Sequence, residues 1–334
     1  MINRKGKYTI TFSDAVITGY GSVAGKKESQ GPLADNFDKL IYDSRAGQDS
    51  FEKAESLFQQ EAVLAALGRA DKKAEEIDFI FAGDLLNQCI SSSYGLKVFN
   101  IPYLGQYGAC STMAQSLIMA ATTVSGGASS CSVCVTSSHF CSAERQYRFP
   151  LEYGGQRTPS AQWTVTGSGS CVVESSGKGV RVSAATIGRI LDLGISDANN
   201  MGGAMAPAAA QTICDFLEDT GTKPSDYDLI LTGDLGYVGS RCLYELMERE
   251  GYDLKGFHND CGLMIFDRKT QDVHAGGSGC GCAASVLCST IIPDMLRGKY
   301  KNILFIATGA LMSPVSTQQG LSIPAVAHLV NLTI

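Results

Sequence analysis

Between Lys97 and Glu144 the chain runs 46 residues without an Asp, Glu, Lys or Arg, and the apolar positions inside that stretch change period twice. They predict a strand ending at Tyr107, a Gly-Ala turn, a helix over 111–124 that is apolar on every side, and a strand over 131–136. Charged side chains are almost never fully buried, so a stretch this long without them is expected deep inside the protein. A second uncharged run, 273–293, has the same order of parts, with GSGCGC at its helix start.

Other segments recur as well. IDFIFAGDL at 77–85 returns as YDLILTGDL at 227–235, an offset of 150 residues. Each is a predicted strand with a Gly-Asp turn, and each follows an amphipathic helix. The first helix is expected over 51–67, and the second starts near Ala208 and ends before Gly221. CSVCVTSS at 131–138 returns as ILFIATGA at 303–310, and the extra residues of the second half fall around 252–271. Leading strands at 8–12 and 15–18 match 179–187. Alternating strands and helices imply parallel strands with right-handed crossovers. A helix apolar all round cannot lie on an outer layer, so both copies must be held between two sheets. The expected fold class is α/β: a five-layer αβαβα molecule of two pseudo-symmetric halves, 1–176 and 177–334.

Composition narrows the functions. Charged residues make up 18% of the chain and the net charge is −6, which suits a globular protein and not a nucleic-acid binder. The twelve cysteines are sparse and lie in apolar contexts, which argues against a disulfide framework and for a reducing, cytosolic setting. Cys131 and Cys134 form a CxxC, but within a strand they point to opposite faces and cannot share a metal. No metal site is expected. The N-terminal MINRKGKYTITF lacks an apolar core of signal-peptide length, and no apolar run is long enough to span a bilayer. Any membrane role would be peripheral.

The duplication, with a Cys turn opening the first buried helix, resembles the thiolase fold of thiolases and ketoacyl synthases. GACST at 108–112 resembles its nucleophile turn, TVTGSGSCVV at 164–173 its glycine-rich strand pair, and IATGALMSP at 306–314 its last loop. Within that superfamily, GDLLNQ, YGACST, TSSH, AERQYRFPLEYGGQ, MGGAMAPAAA, HNDCGLMI and AGGSGCGC resemble the stage V sporulation protein AD family of spore-forming bacteria, over nearly the whole chain. The resemblance implies binding of dipicolinic acid (pyridine-2,6-dicarboxylate), with calcium as a possible companion carried in its chelate and no cofactor of the protein's own. It also implies a homodimer, cytoplasmic and peripheral to the spore inner membrane, working beside membrane proteins of the same sporulation system in solute uptake.

Cys110 is the first candidate residue. A cysteine opening a buried helix gains from amide dipoles that favour thiolate; the plain alternative is a small buried residue. Condensing chemistry needs acid–base partners for such a thiol. The resemblance places one His after the strand 227–232, where this chain has Gly233 and Asp234, and a His or Asn before the second buried helix, where it has GGSGCGC. An Asp near the thiol would raise its pKa. The expectation is therefore a non-enzyme with ligand-binding residues around Cys110 and Asp234. The alternative is a divergent acyl-transferring or condensing enzyme using Cys110. His139 ends the TSSH strand, as a ligand contact or as a satisfied core residue. His258 either reaches back to the site or caps its loop. His274 and His328 read as structural. Arg145 and Arg148, on a loop with Tyr147, Phe149 and Tyr153, could clamp a planar dicarboxylate, or could pair with their neighbours at a dimer contact. Gly277 and Gly279 could offer N–H groups to a bound carboxylate, although close backbone approach explains them more simply. MGGAMAP at 201–207 reads as a flexible loop walling the pocket.

Overall fold

Strand alternation decides which layer each side chain enters. The computed structural model describes residues 1–147 and 157–334. In the strand Phe79–Gly83, Phe81 faces the central core. Its neighbours Ile80 and Ala82 join an outer cluster with Val63, Ala66 and Leu67 of helix Phe51–Ala70. The strand Leu229–Thr232 repeats this, with Leu231 inward and Ile230 outward against Ile213 and Leu217 of helix Met201–Thr220. Between the inward faces lie helix Thr112–Ser125 and the helical run 280–296. Helix, sheet, helix pair, sheet and helix make the five layers that the uncharged runs imply.

The strands of the first half lie in the order Tyr103–Gly105, Phe79–Gly83, Cys131–Ser138, Gly167–Glu174, Val16–Ala24. Those of the second lie in the order His258–Asp260, Leu229–Thr232, Asn302–Ala310, Ala325–Thr333, Val180–Thr186. Along both series the pairing runs parallel, parallel, antiparallel, antiparallel. The two series also join edge to edge, where Val180 and Arg181 pair with Ile17 and Val16. Gly179 permits that join, because a Cβ there would lie 1.9 Å from the Ile17 carbonyl oxygen.

Two sequence readings change. The strand before the Cys110 turn is Tyr103–Gly105 and stops short of Tyr107. MGGAMAP is no loop but the first turns of helix Met201–Thr220, capped by Asn200, whose Oδ1 accepts from the Gly203 N–H at 3.3 Å. Its small residues serve close packing: a Cβ on Gly202 would stand 2.3 Å from the Leu235 carbonyl oxygen, at the start of helix Gly236–Arg249. The second buried helix starts at Cys280 and passes through a π segment, Leu287–Ile291, just before Pro293. A proline cannot donate to an α ladder, and a π segment is one way to absorb the gap. Cys131 and Cys134 do face opposite sides of their strand, one in the outer cluster and one in the central core.

Candidate functional site

The two halves touch at the turn that carries Cys110. Ala109 adopts the left-handed conformation, φ +50°, and side-chain bonds lock the turn. Ser111 Oγ donates to the Gly108 carbonyl at 2.7 Å, and Thr112 Oγ1 donates to the Ala109 carbonyl at 2.6 Å. Gly309, in the last strand but one of the second half, lies directly under the turn. A Cβ there would come within 2.2 Å of the Gly108 carbonyl oxygen, so only glycine lets this strand seat the turn.

Asp234, brought in by the Gly-Asp turn after Leu229–Thr232, is fully buried. Its Oδ1 accepts from Thr308 Oγ1 at 2.7 Å; its Oδ2 accepts from Ser278 Oγ at 3.0 Å and from the Gly279 N–H at 2.9 Å. The Cys110 thiol lies near enough to feel this carboxyl's charge. Burial, and then the Asp234 charge, push the thiol well above its ordinary range. Helix dipoles favour the thiolate, but here desolvation and a neighbouring carboxyl outweigh them. The Cys110 thiol is therefore protonated at neutral pH and a weak nucleophile. Asp234 is itself raised, chiefly by burial.

The cavity beside Cys110 is small, about 40 Å³, and walled mostly by apolar groups such as Leu85, Ala143, Met201 and Met312. At roughly 10–15 Å³ per probe-sized water it holds a few solvent molecules. Polar groups reach it from Glu144, Tyr147, Thr164 and Ser278, and none of the four histidines is among its described lining residues.

The match to known proteins agrees with this geometry. The model of the stage V sporulation protein AD family matches residues 6–333. Stage V sporulation protein AD of Bacillus subtilis (strain 168) is 43% identical over 324 residues, covering 97% of this chain and 96% of that protein. The chain belongs to the stage V sporulation protein AD family. Among solved structures, 3-oxoacyl-[acyl-carrier-protein] synthase III from Aquifex aeolicus VF5 superposes with a TM-score of 0.60 at 14% identity, covering 96% of this chain and 100% of that one. Cerulenin-bound OleA of Xanthomonas campestris gives 0.63 at 12% identity, covering 97% of this chain and 100% of that one. These likenesses establish the thiolase-like fold of this family member.

Not every expected site residue gathers at the cavity. Cys110 lines it; Asp234 and the Gly279 N–H bond each other behind the lining residue Ser278, and the Gly277 carbonyl accepts from Gln162 Nε2 at 2.9 Å. The cradle role of the glycines is corrected: the Gly279 N–H is already taken by Asp234, and a Cβ on Gly279 would meet Ser138 Oγ at 2.5 Å. Arg145 points away from the cavity and pairs with Glu52 in a separate groove beside Asn87 and Gln88, so it clamps nothing beside Cys110. Arg148 lies outside the described residues. His139 is also elsewhere: its Nε2 bonds the Ser44 carbonyl at 2.7 Å, while Nδ1 accepts from the Cys141 N–H at 3.2 Å. His258 bonds Thr232 Oγ1 at 2.9 Å and Tyr244 OH at 3.0 Å, holding its strand in place instead of reaching the thiol. In both, burial lowers the pKa and favours the neutral ring.

The sequence reading missed a buried acidic network on the other side of the pseudo-symmetry axis. Asp84, the counterpart of Asp234, accepts from the Leu86 N–H at 2.9 Å, the Ser92 N–H at 2.8 Å and Ser92 Oγ at 2.6 Å. Glu55 accepts from Ser137 Oγ and Ser142 Oγ, each at 2.8 Å, and burial followed by the Asp84 charge pushes it up to about 8. The repeated Gly-Asp turn was the available signal for Asp84. Glu55 gave none, since one Glu on an amphipathic helix looks like any solvent-facing residue.

Proposed function

We propose that this family member is a non-catalytic ligand-binding protein that handles pyridine-2,6-dicarboxylate, alone or as its calcium chelate, beside membrane proteins of the same sporulation system. The observation that carries the non-catalytic part is the burial of Cys110 at the junction of the halves, within reach of the Asp234 charge. Where acyl chemistry needs a base, burial first and the Asp234 charge second keep the thiol protonated. No helix among the described residues is long and apolar enough to cross a membrane, which fits a peripheral role. Calorimetric titration with dipicolinate, with and without calcium, should give saturable heat, while acetyl-coenzyme A should give none. Absence of dipicolinate heat under both conditions would reject the reading. The competing reading, acyl transfer through Cys110, draws on the position of that thiol at a buried helix start. A turning-over acyl adduct on Cys110, seen by mass spectrometry, would establish it.

A homodimer fits the same reading. The strand Tyr103–Gly105 ends the sheet, with one edge paired to Phe79–Gly83 and the other unpaired among the described residues. Around it Leu104 is 48% exposed, Tyr94 63% and Val98 62%, an apolar edge of the kind that invites strand pairing. Leu104→Glu is expected to convert a dimeric parent to monomer in sedimentation velocity. A parent already monomeric at micromolar concentration would count against the homodimer.

A further inference from the structure

Helix Phe140–Tyr147 separates two spaces. It supplies Ala143, Glu144 and Tyr147 to the Cys110 cavity, and Ser142, Arg145 and Gln146 to the groove beside Asn87 and Gln88. Two stitches hold it to helix Phe51–Ala70. Arg145 pairs with Glu52, and Ser142 Oγ meets Glu55 Oε2 at 2.8 Å. Residues three apart share a helix face, so a single face of each helix carries both stitches. The outer stitch is a partly exposed ion pair, worth little by itself. The inner one is shut off from solvent, with Glu55 and Ser142 each 1% exposed.

The donors around the buried acids decide which of them holds the proton. Asp84 takes the Leu86 N–H, the Ser92 N–H and Ser92 Oγ, and three donors favour its ionised form. Glu55 meets hydroxyls, which can turn to accept. Ser142 Oγ also lies 3.1 Å from the His139 carbonyl oxygen, so its one hydrogen has two possible acceptors. With Glu55 neutral, the acid O–H donates to Ser142 Oγ, and Ser142 donates to the His139 carbonyl. With Glu55 ionised, Ser142 must turn to the carboxylate, and the carbonyl at the helix start loses that bond.

The groups around Glu55 oppose its ionisation. Asp84 faces it from the Gly-Asp turn and Glu52 from one turn earlier on its own helix, while Cys89 and Cys280 lie within reach of its charge. Arg145, the cation on the facing helix, is held by Glu52. Strand Cys131–Ser138 and helix Ile90–Leu96 add the hydroxyls of Ser137 and Ser91. Glu144 is turned to the Cys110 cavity, where its Oε1 accepts from Thr164 Oγ1 at 3.2 Å. Burial and the Asp84 charge together bring Glu55 to about 8, within the range of ordinary pH changes.

We propose that helix Phe140–Tyr147 is a proton-operated latch. While Glu55 is protonated the helix stays stitched to Phe51–Ala70 and the Cys110 cavity stays small. Loss of that proton, by way of Ser142 to the groove, sets a second negative charge beside Asp84, loosens the stitch and widens the cavity. The latch is independent of which ligand the cavity takes.

Trp163, the sole tryptophan of the chain, reports on it. Its ring stacks on Phe140, the first residue of the latch, with centroids 3.9 Å and planes 10° apart. Fluorescence of the full chain should pass through one transition centred near pH 8. Across it the amides of the latch helix should exchange hydrogen roughly two- to tenfold faster than the intrinsic rise with pH, the loss of one buried hydrogen bond. Glu55→Gln, fixed in the neutral form, should abolish both changes. Ser142→Ala, which lacks the stitch at every pH, should exchange fast throughout and show no transition. Two other titrating groups lie near the reporter: Lys27, with Nζ 3.6 Å from the Trp163 ring centroid, and Glu28, which accepts from the Thr166 N–H. Lys27→Met and Glu28→Gln should therefore keep the transition. A flat parent profile overturns the latch, as does a transition that survives in Glu55→Gln or vanishes in Glu28→Gln. Should Glu55→Gln fail to fold, Ser142→Ala decides alone, and a parent-like transition in that variant overturns the proposal.

Discussion

Replacing Asp234 by Ala is expected to cost the folded chain about 3–5 kcal/mol, a large share of the stability of an ordinary domain. The carboxyl is fully buried and takes bonds from Thr308 Oγ1, Ser278 Oγ and the Gly279 N–H. Removing it leaves those donors without an acceptor where water cannot easily replace it, at about 1–3 kcal/mol for each one stranded. Partial relaxation keeps the total below their sum. Asp234→Asn should fall between parent and Ala, because an amide retains one acceptor oxygen but cannot satisfy both sides. Urea denaturation measures the loss. The same variants should raise the alkylation rate of Cys110 in the native state, since the neighbouring carboxyl helps to hold that thiol protonated. A loss under about 1 kcal/mol for the Ala variant would show that Asp234 does not organise the junction of the halves.

Stability should decline between pH 6.5 and 8.5. Burial raises Glu55 to about 8 and both Glu28 and Asp260 to about 7. Above the ordinary glutamate range the unfolded chain has released these protons while the folded chain still holds them. Their contribution is thus complete at low pH and is lost as pH rises through 7 and 8. Between pH 4 and 6.5 an opposite effect offsets it: His258 and His328 are lowered by burial to about 4, so there the unfolded chain takes up protons that the folded chain refuses. Above about pH 6.5 an ordinary histidine is more than half neutral even in the unfolded chain, and the three carboxyls outweigh the histidines in the slope. The expected fall is about 2 kcal/mol over the window, from the linkage slope of about 1.4 kcal/mol per pH unit per proton. Glu55→Gln should flatten much of it. Urea midpoints at three pH values settle the matter, and a flat or rising profile in the parent would refute the assignment of neutral buried carboxyls.

The layers were legible because burial leaves a compositional trace. The uncharged runs around 98–143 and 273–293 named both buried helices, and the repeat of IDFIFAGDL as YDLILTGDL paired the strands behind them. MGGAMAP misled for a physical reason. Small residues mark flexible backbone and close helix packing equally well, and only the approach of Gly202 to Leu235 and Gly239 separates the two. Arg145 misled because a cation beside an expected pocket was assumed to face it, whereas Glu52, distant in sequence, supplies a carboxylate on the outer side.

The sequence by itself determined the five-layer duplication and the family, since periodicity, missing charge and ordered motifs are all local records of burial. Only the tertiary structure decided which titratable groups meet. It set Cys110 in a space too small for most ligands and gathered Glu55, Asp84 and Ser142 from across the first half. Desolvation and Coulomb interactions depend on distances through space, and chain spacing does not encode them.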